Sequence, residues 1–368
     1  MDRVSNVFGI SNVIIKSLAD LPDTDRPIHS SDPKRNKFFV KKIYFTLFLL
    51  IVPLINLEVL AKSRNVDYTK DNISNYFSGV ILAKQGYNDR AFKYLKKVES
   101  LKNKHSKFNI EFVRTLILLE RFKEAFTFAK SVWAEDEFFF EADLLLGLSF
   151  FVDKDYINAE KYFKRLNKIS RYNLFYEDFF GNILMAWSTA STGNKKASFE
   201  FFEKIPNHYG HLKKIQNNFL QCYFDTDESE NSFKELANEE DYNFSRYNFF
   251  AANYLLYKNR NLEVKKIIEN GRKKHSSNLL IKQTELFFIN DQNEKIINFF
   301  NCKNPKDSLA EFFYVIANLY SSEKYYRLSN FYLRISLFLN NKFLTNKALL
   351  AENFYYQKKY KNAKNIYH

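Results

Sequence analysis

From residue 65 onward, apolar side chains recur at three- and four-residue intervals, interrupted by short polar or aromatic connections. That is the pattern of amphipathic helices joined by tight turns. A longer period runs through it. Ala91, Ala125 and Ala159 stand 34 residues apart, each opening an apolar-periodic helix after a turn such as Gly86-Tyr87-Asn88 or Asp155-Tyr156. The phrase returns at Ala197 and again at Ala363. Four positions further on come Leu95, Ala129, Phe163, Phe201 and Tyr367, and Gly79 and Gly147 precede Ala91 and Ala159 by twelve. Carrying the register through Ser232, Val264, Ile296 and Leu328 predicts nine repeats over 65–368, the middle ones marked by periodicity more than by motif. In this reading Gly79 lies opposite Ala91 and Gly147 opposite Ala159, so that paired helices cross closely. No single pair can bury its apolar face, so each must stack on its neighbours.

A 34-residue period with small and aromatic residues at these places resembles the tetratricopeptide repeat (TPR) family. The resemblance implies an all-α fold, a right-handed α-α superhelical solenoid of about nine TPR-like helix pairs. It also implies a concave face, lined by the first helix of each pair, that binds an extended segment of a partner protein. The family's groove positions fall on Tyr76, Val80 and Lys84, on Ile110, Arg114 and Ile117, and on Leu144, Leu148 and Phe151. The asparagine and lysine pattern that grips a C-terminal carboxylate in chaperone-binding members does not follow here.

Composition narrows the chemistry. Gly 8 and Pro 6 in 368 residues are too few for a turn-rich barrel or sandwich or a glycine-rich phosphate loop. Phe 40, Tyr 24 and 46% hydrophobic residues supply ample core and exclude disorder. No GxSxG, P-loop, HExxH or GxGxxG motif occurs, so neither an enzyme nor a cofactor is expected. His208 and His211 have metal-like spacing but no carboxylate or cysteine beside them. The acidic run Asp225-Thr226-Asp227-Glu228-Ser229-Glu230 lacks the central glycine of a calcium loop and has Leu236 where the bidentate glutamate belongs. It reads as a capped helix–helix turn. Cys222 and Cys302, 80 positions apart, exclude a zinc cage and leave a single long-range disulfide open.

The N-terminus adds a location. Residues 1–33 read as a flexible leader. Five positive charges over 34–42 precede the uncharged run Ile43–Leu57, and Val59-Leu60-Ala61 follows. Segment 34–61 thus has the parts of a signal peptide or, uncleaved, a membrane anchor through 43–57. Either places residues 62–368 outside the cytoplasm. The net charge of +14 is spread among interleaved acids with no arginine-rich tract, which argues against nucleic acid. The expected function is a non-catalytic protein–protein interaction scaffold of the cell envelope, similar in type to periplasmic flagellar collar proteins. The alternative is a cytoplasmic basic helical-repeat adaptor or regulator binding nucleic acid or acidic proteins. Phe354, Tyr355, Tyr356, Ile366 and Tyr367 would form an aromatic end for docking a partner or a second copy.

Overall fold

The computed structural model describes residues 68–170, 178–238 and 246–367. The leader 1–33 and segment 34–61, with its apolar run 43–57, lie outside the described residues. Among the described residues there are eighteen α-helices, two short 3-10 turns and no strand, so the fold is all-α. None of these helices is long and apolar enough to cross a membrane.

The helices follow one another as nine hairpins. The first four are α1 (Lys70–Lys84) with α2 (Asn88–Lys97), α3 (Ser106–Leu118) with α4 (Phe122–Val132), α5 (Phe140–Val152) with α6 (Tyr156–Ser170), and α7 (Phe180–Ser191) with α8 (Lys195–Glu203). Then come α9 (Gly210–Phe224) with α10 (Ser229–Asn238), α11 (Tyr247–Tyr257) with α12 (Asn261–Lys274), and α13 (Leu279–Ile289) with α14 (Asn293–Phe299). The last two are α15 (Pro305–Ser322) with α16 (Tyr326–Leu339), and α17 (Leu344–Tyr356) with α18 (Tyr360–Tyr367).

The turn inside every hairpin has the same construction. One residue takes a left-handed conformation: Gly86, Glu120, Lys154, Gly193, Asp225, Asn259, Asp291, Lys324 and Lys358 in turn. Its amide donates to the carbonyl three residues back, and the next amide to the carbonyl five back. Gly86 to Ala83 (2.9 Å) with Tyr87 to Leu82 (2.8 Å) is the first instance, and Lys358 to Tyr355 with Lys359 to Phe354 the last. This is the Schellman closure, which satisfies carbonyls that a helix end would otherwise leave bare. Glycine usually holds the left-handed position, yet only two of the nine turns use it. The scarcity of glycine is therefore tolerated at a conformational cost of about 1 kcal/mol at each long side chain placed there.

The turns fix the register of the packing. Seven residues before each left-handed position stand Gly79, Val113, Gly147, Ala186, Asn218, Ala252, Thr284, Ala317 and Ala351, every one buried. Five residues after it stand Ala91, Ala125, Ala159, Ser198, Val264, Ile296, Ser329 and Ala363 in eight of the hairpins, again all buried. In the fourth and eighth hairpins this is one residue beyond the positions carried from the sequence: Ala197 and Leu328 are half-buried, while Ser198 and Ser329 are fully inside. Phe201 shifts likewise to Phe202. The fifth turn is a residue longer, and there Ser232 keeps its place, its hydroxyl donating to Asn218 Oδ1 at 2.8 Å.

The glycines face different partners from those expected. A Cβ on Gly79 would stand 2.7 Å from Leu95, and one on Gly147 would stand 2.3 Å from Phe163. Glycine thus makes room for the large residue one helical turn beyond Ala91 and Ala159, and at Gly79 the Leu95 amide nitrogen is also only 3.2 Å away, so the two backbones approach closely there as expected.

Helices pack on their neighbours in chain order, and helices far apart in sequence also meet. α16 lies on α3, and α15 touches α7 and α9. Phe338 stacks on Phe122 with centroids 4.3 Å apart, and Phe312 meets Phe180 at 5.0 Å. Glu111 pairs with Arg327 at 2.7 Å and Glu120 with Arg334 at 2.6 Å. Arg246 holds both oxygens of the fully buried Glu311, at 2.7 and 2.6 Å, and also donates to Thr345 and Asn346. Its guanidinium lies 3.8 Å from the Tyr314 ring centroid, so the charge is enclosed by a carboxylate and an aromatic face. Burial is the largest single effect and works against the arginine's charge, but Glu311 together with Tyr314 and Tyr247 outweighs it, and the pKa is raised. Cys222 at the end of α9 and Cys302 before α15 form the long-range disulfide that the sequence left open.

Candidate interaction surface

Of the residues predicted to line a peptide groove, Ile117, Leu144, Leu148 and Phe151 are buried. Phe151 packs on Tyr156 and Phe163 of its own hairpin. Arg114 donates through Nε to Glu141 Oε1 at 2.6 Å, and the negative charges of Glu141 and Glu111 raise its pKa against the opposing effect of burial. Ile110 is half-buried on the same helix, the one against which α16 packs. The face of α3 meant for a peptide is thus occupied by the chain's own α16. Tyr76 and Val80 are half-buried and Lys84 exposed, so the accessible part of the predicted set is on α1.

The C-terminal set divides. Phe354 is buried and Ile366 half-buried against the core, whereas Tyr355, Tyr356 and Tyr367 are exposed. The structure adds what the sequence gave no reason to join: the last hairpin turn reaches the first. Lys359 Nζ donates to the carbonyl of Gln85 at 2.6 Å and lies 5.3 Å from the Tyr87 ring centroid. Burial, with the nearby Arg327 charge, lowers the Lys359 pKa. Tyr87 is 49 %, Tyr355 60 %, Tyr356 57 % and Tyr360 57 % exposed, so rings from both ends of the described chain share one surface. Tyr360 and Tyr87 were not singled out from sequence. Only the run Tyr355-Tyr356 gave a signal, because nothing local says that residue 87 lies near residue 359.

Elsewhere the polar groups are engaged structurally. Among the described residues no group of three or more His, Cys, Asp and Glu side chains is placed to hold a metal ion. His208 packs on the Tyr209 ring at 4.1 Å. In the acidic run, Asp225 takes the left-handed turn position and pairs with Lys258 at 2.6 Å, and Glu230 pairs with Arg260 and Lys234. Those hydrogen bonds from lysine and arginine lower both carboxyl pKa values. Beside the run lies an open depression of about 470 Å³, lined by Lys195, Phe199, Gln221 and residues 225–228. Asp143 is tied to Trp133 Nε1 and Arg165 at 2.7 and 2.8 Å, and Arg165 also holds the carbonyls of Ala134, Glu135 and Glu137. These bonds fix the link between α4 and α5.

No known protein family matches this chain, and no curated protein is recognisably related to it.

Proposed function

We propose that the chain is a non-catalytic scaffold whose nine hairpins form a right-handed TPR-like superhelical solenoid, held outside the cytoplasm at the cell envelope. There it would hold other proteins of a larger assembly, a periplasmic flagellar motor being one such assembly. The observation that carries the reading is the ninefold repetition of one turn, with a buried residue, glycine or alanine in six of the nine, at a fixed distance before it. Stacked repeats of this kind present extended surface to partners, and their stability is built pair by pair. Two further features support the location. The only two cysteines are joined, and such bonds persist in oxidising compartments. The basic and apolar segment 34–57 has the order of an export signal or anchor.

The test has two arms. A reporter fused after His368 that works only outside the cytoplasm supports the location, and activity only inside removes it. Photocrosslinking in cells from exposed positions, followed by mass spectrometry, should then capture other envelope proteins in defined places. Capture of nucleic acid instead would favour the cytoplasmic adaptor.

A further inference from the structure

Where the last hairpin meets the first, the exposed tyrosines of the C-terminal end are joined by Tyr87 and Arg90 of the N-terminal one. Tyr87 follows the first left-handed turn, and Tyr355, Tyr356 and Tyr360 flank the last. The C-terminal rings touch one another: Tyr355 meets Tyr360 at 5.5 Å and Tyr356 at 6.0 Å, both edge-on, and Tyr356 lies parallel to Tyr326 at 6.0 Å; Tyr87 joins them through Lys359, whose Nζ lies 5.3 Å from its ring centroid. Exposed tyrosine is a residue that binding surfaces favour, because it buries much area at little entropic cost. Charge surrounds the rings on one side of neutrality. Arg90, Lys358, Lys361 and Lys364 are exposed, against Asp89 and Glu352.

We propose that this seam docks an extended acidic segment of a partner protein, an inference that rests on the scaffold reading above. Tyrosine rings would cover the partner's apolar side chains while the lysines and Arg90 meet its carboxylates, giving an attraction that salt screens. A single-stranded nucleic acid is the less suited guest. Base stacking needs free ring faces, and Tyr356 already has one face against Tyr326.

The experiment uses the full chain and three fluorescein-labelled probes: a short peptide alternating glutamate with leucine, its lysine counterpart, and a single-stranded oligonucleotide. Anisotropy should rise with the glutamate peptide alone and weaken as salt increases. Tyr355→Ser, Tyr360→Ser and Lys361→Glu should each weaken that binding about tenfold, a loss that only a minority of interface residues shows, with helical circular dichroism unchanged. Equal binding of both peptides, preference for the oligonucleotide, or indifference to all three variants would each overturn the proposal. The scaffold reading has its own readout. Crosslinked partners on other faces with the seam silent would remove only the seam, whereas no partner at any position would remove both.

Discussion

Replacing Gly147 by alanine sets two opposed effects against each other in α5, and the structure gives their sizes. Alanine is the better helix former by about 1 kcal/mol in a helix interior. Against this, the new Cβ would stand 2.3 Å from Phe163 Cε1 and 2.5 Å from Cδ1, well inside contact distance. Phe163 is fully buried, so its ring cannot swing into water, and Phe151 packs on it at 6.4 Å. Overpacking of this kind costs about 1–3 kcal/mol, sometimes more. The overlap is deep and the ring confined, so the upper part of that range applies, and the net loss should be roughly 1–2 kcal/mol. Urea unfolding followed by circular dichroism measures it. Gly210→Ala is the control: nothing lies within 4 Å of its added Cβ at the start of α9, so it should be neutral or slightly stabilising. Phe163→Leu should recover part of the Gly147→Ala loss in the double variant, because the two substitutions share one contact. If Gly147→Ala proves as harmless as Gly210→Ala, or the two substitutions simply add, the assignment of Gly147 to Phe163 is wrong.

Other expectations follow from single features. Breaking the Cys222–Cys302 bond by Cys302→Ser opens a loop of 80 residues; chain-entropy reasoning gives a loss of about 4 kcal/mol, readable as a lower urea midpoint that added reductant does not lower further. Lys154→Gly relieves a long side chain at φ 63 and should raise stability by about 1 kcal/mol, whereas Lys161→Gly in a helix interior should lower it. Asp307 is one pH-sensitive group. Burial raises its pKa from 3.8 to about 6, against opposing bonds from the Asn301 amide and Asn304. A raised carboxyl pKa contributes stability that is complete below about 3.8 and lost as pH rises through about 6. Relative to Asp307→Asn, the native chain should therefore lose roughly 2 kcal/mol between pH 4 and pH 7; parallel stability curves for the two would refute this.

The sequence was sufficient where the governing interactions are local. Helices, their hairpin pairing and the period near 34 follow from apolar spacing and from Ala91, Ala125, Ala159 and Ala363. It was insufficient where a turn uses a residue without the expected signature. Glu120, Lys154, Lys324 and Lys358 take the position normally held by glycine, and no propensity marks them. The register also slipped by one at two places: in the fourth hairpin Ala197 and Ser198 are both small and only Ser198 is fully inside, and in the eighth an even 32-residue step led to Leu328 beside the buried Ser329. The neighbour of Gly147 was also misjudged, since spacing along two helices does not say which side chain fills the gap between them.

The amino-acid order by itself determined that this protein is helical and that its helices recur with a period near 34. Those properties depend on residues within one or two hairpins of each other. Tertiary structure alone decided that α16 packs against α3, that Arg246 encloses Glu311, that Cys222 reaches Cys302 and that Lys359 meets Gln85. Each of these joins segments 65 or more residues apart. Such contacts depend on small angles between successive hairpins accumulated over many repeats, and no local pattern of apolar and polar residues encodes that sum.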